Sequence, residues 1–363
     1  MRFKSPSFFL MLGCVFLVSE LGAQEIRFKS ISLRSFPKVK MVISVENKWG
    51  APVPVDVSRL KLYEEKRLLK NVAVVPQDSR ESPIFSVIVL DKSGSMKGEA
   101  IKKARDGAVE FVEKMREGDQ AATIAFDTQV YVVSEFTPDS AALSAGIRKT
   151  AVGSDTALLD AVYRAVEMQA ATPPNAVKTV LALTDGRENR SRRKLDEVVE
   201  RARALNVSIY TIGLGDKIDS GMLTDMARRT EANYYAAPEP RDLTAIYKRI
   251  SDLLHSQLMV EFTTPFPMDD RWHALRVVIP YMGKEIAGEK PYLSAKESKI
   301  PSELVLQIDR EQRKQQEEAA LQEKLRKEKE ARERKGKTLH LVLAGVAAAL
   351  LLVLLAVVLK KKR

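Results

Sequence analysis

From Ile84 to Leu254 the chain alternates two kinds of apolar pattern. Continuous runs rich in β-branched residues, such as Val87-Ile88-Val89-Leu90, are the mark of strands buried on both faces of a parallel sheet. Between them apolar residues fall at helical spacing, as in Ile101, Ala104, Ala108, Phe111, Val112 and Met115. The alternation predicts strands at 84–90, 120–126, 129–134, 178–184, 207–213 and 233–237. It predicts helices near 98–115, 140–149, 157–170, 193–205, 220–229 and 241–254. Strand-helix alternation of this length implies an α/β fold, a doubly wound, mostly parallel and Rossmann-like sheet with helices on both faces.

The flanks have a different rhythm. In 24–82, Val39-Lys40-Met41-Val42-Ile43-Ser44-Val45 partly alternates and Asn47 to Pro52 reads as a turn. Leu60-Lys61-Leu62-Tyr63 runs into the polar turn Glu64-Glu65-Lys66. In 255–297, Leu258 to Phe262 and Leu275 to Ile279 are strand candidates, and Gly283 to Gly288 reads as a hairpin. Neither segment alone makes a stable sandwich. Together they approach roughly 100 residues, the size of an immunoglobulin-like sandwich. The expectation is one β-sandwich-like module built from 24–82 and 255–297, with the α/β domain 83–254 inserted in it.

The ends of the chain carry membrane signals. Arg2 and Lys4 precede the apolar run Phe8 to Val18, and small residues lead to Gln24, so 1–23 reads as a secretory signal peptide cut after Ala23. A lipoprotein signal using Cys14 is the competing reading. Residues 298–337 are charged, nearly free of Gly and Pro, and contain Glu-to-Lys/Arg pairs at i,i+4 such as Glu323–Lys327, which favours a solvated helical stalk. Thr338 to Leu359 is uncharged, and at ~1.5 Å per residue it spans about 33 Å, enough for a bilayer core. The basic tail Lys360 to Arg363 stays in the cytoplasm. The expected protein is single-pass, type I, in the cell (inner) membrane, with its bulk periplasmic or extracellular.

Charge adds one exclusion. The formal net charge of +11 is concentrated beside the membrane span, because 309–363 holds 15 Lys/Arg against 8 Asp/Glu. The folded part is therefore nearly neutral, which argues against nucleic acid as a partner. Cys14 is the sole cysteine, so the mature folded part can form no disulfide.

The candidate chemistry sits at strand ends. The first parallel strand ends on Asp91, followed by Lys92-Ser93-Gly94-Ser95. Ligands of open α/β sheets bind beyond the carboxyl ends of strands, and carboxylate and hydroxyl oxygens suit Mg²⁺, Mn²⁺ or Ca²⁺. Taken alone, the tripeptide is also an ordinary Ser-Gly turn. Two further loops change that. Leu181-Ala182-Leu183-Thr184-Asp185-Gly186 is a second apolar run ending on an acid, and Gly153-Ser154-Asp155-Thr156 puts a hydroxyl at the mouth of a helix. In order and context these loops resemble the metal-ion-dependent adhesion site of von Willebrand factor type A domains, with its Asp-x-Ser-x-Ser, Thr and Asp. The resemblance covers about 170 residues and continues through Tyr210-Thr211-Ile212-Gly213-Leu214-Gly215. It departs at Glu231-Ala232-Asn233, where the family usually has a Gly pair. It is nearest to bacterial surface or periplasmic members with flanking β structure.

The resemblance implies that Ser93, Ser95 and Thr156 offer hydroxyls to Mg²⁺ (or Mn²⁺ or Ca²⁺). Asp91 and Asp185 would act largely through water, and one coordination position would stay open for an Asp or Glu of a protein partner. Lys92 and Arg187 flank the site, either as aids to acidic recognition or as plain solvated charges. No catalytic residue, organic cofactor or small-molecule substrate is expected. Asp-x-Ser is not the Asp-x-Asp of aspartyl-nucleophile phosphatases, and His255, His273 and His340 fall where no Ser-His-Asp set can be built. Gly213-Leu214-Gly215 lacks the rest of a dinucleotide fingerprint. The expected function is a metal-dependent protein-binding or adhesion module. The alternative is a constitutive scaffold of an envelope complex, with a MoxR-type AAA+ ATPase as a candidate associate.

Overall fold

A computed structural model describes residues 24–76, 82–173, 175–186 and 188–295. The expected signal peptide, stalk, membrane span and tail lie outside them. Among the described residues no helix is long and apolar enough to cross a membrane.

The central sheet has six strands: β6 (Ile84–Asp91), β7 (Gln120–Phe126), β8 (Val130–Thr137), β9 (Val177–Thr184), β10 (Val207–Leu214) and β11 (Tyr234–Ala237), in the order β11-β10-β9-β6-β7-β8. Every residue of β6 is buried, as the unbroken apolar run requires of a central strand covered on both faces. The helices are α1 (Glu99–Glu113), α2 (Ser140–Arg148), α3 (Leu158–Met168), α4 (Leu195–Ala204), α5 (Ser220–Arg229) and α6 (Leu243–His255). Residues of α1, α2 and α6 pack with Ile88, Leu90, Leu181 and Tyr210 on one face. Residues of α3, α4 and α5 pack with Val87, Val89, Val180 and Ile209 on the other. Alternate strand residues thus feed two separate cores.

Six strands and six helices stand within a few residues of the expected positions. One strand differs in direction. β8 runs antiparallel to β7 and forms the sheet edge, because only the turn Asp127–Gln129 joins them and a parallel partner needs a crossover of a dozen residues. Strand order reverses about β6, which lies between β7 and β9 while the chain visits β7 first. That reversal opens a crevice at the carboxyl end of β6.

The flanking segments form two four-stranded sheets around a common core of Met41, Ile43, Leu62, Phe262, Val277 and Ile279. One sheet has the order β1-β2-β12-β5 and the other β14-β13-β3-β4. Their strands are β1 (Glu25–Ser35), β2 (Lys38–Glu46), β3 (Lys61–Glu64), β4 (Arg67–Leu68), β5 (Ala73–Pro76), β12 (Leu258–Thr263), β13 (Trp272–Tyr281) and β14 (Lys284–Leu293). Strands from before and after the α/β segment therefore alternate in both sheets: β12 lies between β2 and β5, and β13 pairs with β3. The expected hairpin at 283–288 is corrected in one respect. Its turn is Met282-Gly283, both at positive φ, and Gly288 lies inside β14. A Cβ there would come within 2.8 Å of Ile26 Cβ, so the glycine serves close packing against β1.

The two parts meet at the start of β11, beside the middle of β10, where Thr211 is level with Tyr234. Glu46, at the end of β2, is completely buried. It accepts hydrogen bonds from Ser44 and Asn233 and lies 3.4 Å from Lys29 Nζ and 3.5 Å from Arg27 Nε. Lys29 also donates to the Glu231 carbonyl (2.6 Å), Arg27 to the Ala232 carbonyl (2.8 Å) and Tyr235 to the Gly50 carbonyl (3.0 Å). Lys290 pairs with the Glu231 carboxylate at 3.2 Å. Glu231-Ala232-Asn233, which replaces the expected Gly pair, is thus the segment that grips the β module. Burial opposes ionisation of Glu46, but Lys29 and Arg27 outweigh it and hold the carboxyl below its usual range.

Candidate metal centre

Each element delivers one part of the site. β6 ends on Asp91, fully buried, whose Oδ1 accepts from the Ser93 amide at 2.7 Å and whose Oδ2 accepts from Thr184 Oγ1 at 2.6 Å. The short helical turn Gly94–Met96 follows and sets Ser93 Oγ 3.1 Å from Ser95 Oγ. Ser95 donates to Asp185 Oδ1 at 2.7 Å, and Asp185 follows β9 directly. Thr156, buried, precedes α3. Its hydroxyl lies 3.2 Å from where a Cβ on Gly186 would stand, and Ser95 Oγ is 4.0 Å from the same point. The five sequence-predicted residues Asp91, Ser93, Ser95, Thr156 and Asp185 are therefore brought to one place.

Backbone bonds lock the loops together. The Gly94 amide donates to the Ser154 carbonyl, the Gly153 amide to the Lys92 carbonyl and the Ala157 amide to the Asp127 carbonyl. A Cβ on Gly153 would run into the Asp127 carboxylate and come within 2.8 Å of Lys92 Nζ, so close loop approach requires glycine there. Lys92 itself is not a solvated loop charge. It pairs with Asp127 and lies 4.5 Å from the centroid of the Tyr131 ring. Arg187, the other expected flanking charge, lies outside the described residues.

The electrostatics are unbalanced. Burial pushes the Asp91 carboxyl up to about 6, against hydrogen bonds from Thr184 and Ser93 that favour its charge, and the nearby Asp185 adds to the rise. Asp185 is also raised, again chiefly by burial. Among the described residues neither carboxylate has a Lys, Arg or His partner, and the adjacent Lys92 is turned to Asp127. Two carboxylates and three hydroxyls thus converge with no cation among the described residues to balance them. Such a donor set fits a hard divalent ion that keeps some of its water. Among the described residues no three His, Cys, Asp or Glu side chains cluster as ligands.

Sequence reasoning missed the support around these five. Thr184 orients Asp91, and the Gly186 amide donates to Thr184 Oγ1 at 3.2 Å. Asn189 bonds Thr156 in both directions, through its side chain to the Thr156 amide (3.3 Å) and through its own amide to the Thr156 carbonyl (3.3 Å). Glu188 accepts from the Leu159 amide at 2.9 Å, at the start of α3. The run Asp185 to Ser191 is rich in turn formers, but its partner, the mouth of α3, is more than twenty residues away in sequence.

Residues 87–249 match the model of the von Willebrand factor type A domain. An uncharacterized protein of Synechocystis sp. is 24% identical over 210 residues, which are 54% of this chain and 49% of that one. Inter-alpha-trypsin inhibitor heavy chain H3 of Mus musculus is 24% identical over 205 residues, 52% of this chain and 23% of that one. The chain thus spans about half or less of the length of these relatives. Among solved structures, a von Willebrand factor type A protein from Catenulispora acidiphila aligns over 74% of this chain and 72% of its own at TM-score 0.46 and 13% identity. Proximal thread matrix protein 1 of the mussel byssus, solved with a zinc-occupied MIDAS motif, aligns over 53% and 50% at TM-score 0.46 and 18% identity.

Proposed function

We propose that the von Willebrand factor type A domain of this chain is a metal-dependent protein-binding module, in which Asp91, Ser93, Ser95, Thr156 and Asp185 hold Mg²⁺ and the ion takes up a carboxylate from a partner protein. Domains of this family mediate protein interaction or adhesion, often with a divalent metal. The observation that carries the reading to this chain is the pair of carboxylates, Asp91 and Asp185, set among three hydroxyls with no cation of the described residues between them. A divalent ion there would supply an electrophile with a free coordination position. The protein's own residues orient the donors: Thr184 and the Ser93 amide fix Asp91, and Asn189 fixes Thr156. Among the described residues no histidine lies beside these five, since His255 pairs with Asp119 and His273 with Asp269. A binding role is therefore favoured over catalysis. Mn²⁺ and Ca²⁺ are also oxygen-seeking ions that this donor set accepts.

Calorimetry on the full-length chain tests the reading. Mg²⁺ should give a binding isotherm that Asp91→Ala abolishes while the circular dichroism spectrum is kept. Undiminished binding in Asp91→Ala would remove the metal assignment. Partner capture that survives EDTA would favour the scaffold role.

The same proposal places the module outside the cytoplasm, held by the 338–359 span. Its support is the leader-like 1–23, the uncharged span and the Lys360–Arg363 tail. Protease added to cells with a permeabilised outer layer should digest 24–337 and spare the tail; protection of the α/β domain would reverse the topology.

A further inference from the structure

Asp127 directly follows β7 and is bonded on both sides to loops that carry candidate metal ligands. Its carboxylate accepts from the Lys92 ammonium, from the Gln129 amide at 2.9 Å and from the Ser154 amide. Its carbonyl accepts from the Ala157 amide at 2.8 Å. Lys92 lies in the loop of Ser93 and Ser95, and Ser154 and Ala157 lie in the loop of Thr156. Asp127 belongs to neither. Lys92 closes the circuit. Its amide donates to the Phe126 carbonyl at 2.8 Å, its carbonyl accepts from the Gly153 amide at 2.6 Å, and its ammonium faces the Tyr131 ring. The side chains of Lys92 and Asp127 are only 14% and 9% exposed, so the pair is largely withdrawn from water, where loss of one partner is felt strongly. The segment 149–157 between α2 and α3 is neither helix nor strand. The place of Thr156 is therefore set by these contacts and by Asn189.

We infer that Lys92 and Asp127 are positioning residues of the candidate metal centre: their ion pair, wedged between two ligand-bearing loops, sets the spacing of the Thr156 hydroxyl from those of Ser93 and Ser95. This role rests on the metal reading above and adds two residues that hold no ion themselves. The pair has no net charge, so it contributes geometry to the site and little field. Groups that orient metal ligands from behind in this way govern affinity almost as strongly as the ligands do. Gly153 belongs to the same device, because a side chain there would occupy the space of the Asp127 carboxylate.

The opposite charges of the two residues supply the test. Calorimetry with Mg²⁺ on the full-length chain should show binding weakened roughly tenfold or more in Lys92→Met and also in Asp127→Asn. The double variant should bind about as weakly as either single one, since one contact is lost in all three. In EDTA, hydrogen exchange of 151–157 read by mass spectrometry should quicken in each variant while β6 and β9 keep their protection. Gly153→Ala keeps both charges but crowds the carboxylate, and should weaken Mg²⁺ and quicken exchange likewise. Tighter Mg²⁺ binding in Lys92→Met with weaker binding in Asp127→Asn would mean that the charges act on the ion through their fields alone, and would overturn the positioning role. Parent-like isotherms in the variants would overturn it too and leave the metal reading standing. Absence of a Mg²⁺ isotherm in the parent would overturn both.

Discussion

Asp91 and Glu46 are both buried carboxylates, and their surroundings push them in opposite directions. Asp91 is raised chiefly by burial, whereas burial of Glu46 is outweighed by Lys29 and Arg27, which lower it. For Glu46 the sign of the pH effect follows. A carboxyl held below its ordinary 4.5 stabilises the fold fully above that pH, and the contribution is lost as pH falls through the lower native value. Glu46→Gln should thus be less stable at neutral pH and show a flatter acid limb in urea melts between pH 5 and 3, both numbers being about the window in which such groups titrate. At the metal centre, Thr156→Ala should weaken Mg²⁺ binding in calorimetry while costing less than about 1 kcal/mol of stability, because the lost hydroxyl supports little of the core. The five candidate ligands were legible because each follows an apolar run or opens a helix, and strand-helix geometry alone sends such positions to one crevice. Thr184 and Asn189 were not, since what they hold depends on loops that meet only in three dimensions. The pairing of Lys92 is hidden for the same reason: its partner Asp127 is 35 residues on.

α1 shows how an element can contain a residue that its own propensity disfavours. Gly107 sits in the middle of the helix, where glycine costs about 1 kcal/mol relative to alanine. Its missing side chain admits Tyr247 of α6, whose ring also meets Phe111 edge-on at 6.4 Å between centroids. Gly107→Val should therefore destabilise by roughly 1–3 kcal/mol through overpacking, read as a lower urea midpoint with an unchanged slope. Apolar periodicity revealed α1 and α6 individually, but the pairing that explains the glycine lies between elements far apart in the chain. The direction of β8 was hidden for a related reason. Strand propensity carries no direction, and only the brevity of the 127–129 turn distinguishes a hairpin from a crossover.

The described fold joins the cores of the α/β segment to that of the β module through a small set of buried polar groups and through Val42 of β2, which packs into an α/β core. Removing Glu46 leaves Lys29 buried without its counter-charge, so Glu46→Ala should cost about 3–5 kcal/mol. The same linkage predicts that the described fold melts in one transition when followed both by tryptophan fluorescence, from Trp49 and Trp272 in the β module, and by far-ultraviolet circular dichroism, dominated by the helices. Two separated transitions would mean that the junction is too weak to couple the parts. The layout of the sandwich was partly legible, since alternation marked β2, β12 and β13. The grip of Glu231-Ala232-Asn233 on β2 was not, and it surfaced in the sequence only as a departure from a resembled pattern. The entry of the chain into the α/β segment has a mechanical consequence. The candidate site is at the carboxyl end of β6, and the chain comes from β5 of the β module into β6 at Ile84, the opposite end of that strand, about 25 Å away. A pull between a captured partner and the module would run along β6, across which β7 and β9 are bonded in parallel register. Those ladders would be sheared together instead of being unzipped bond by bond, so the domain is oriented to bear tension along its stiffest direction.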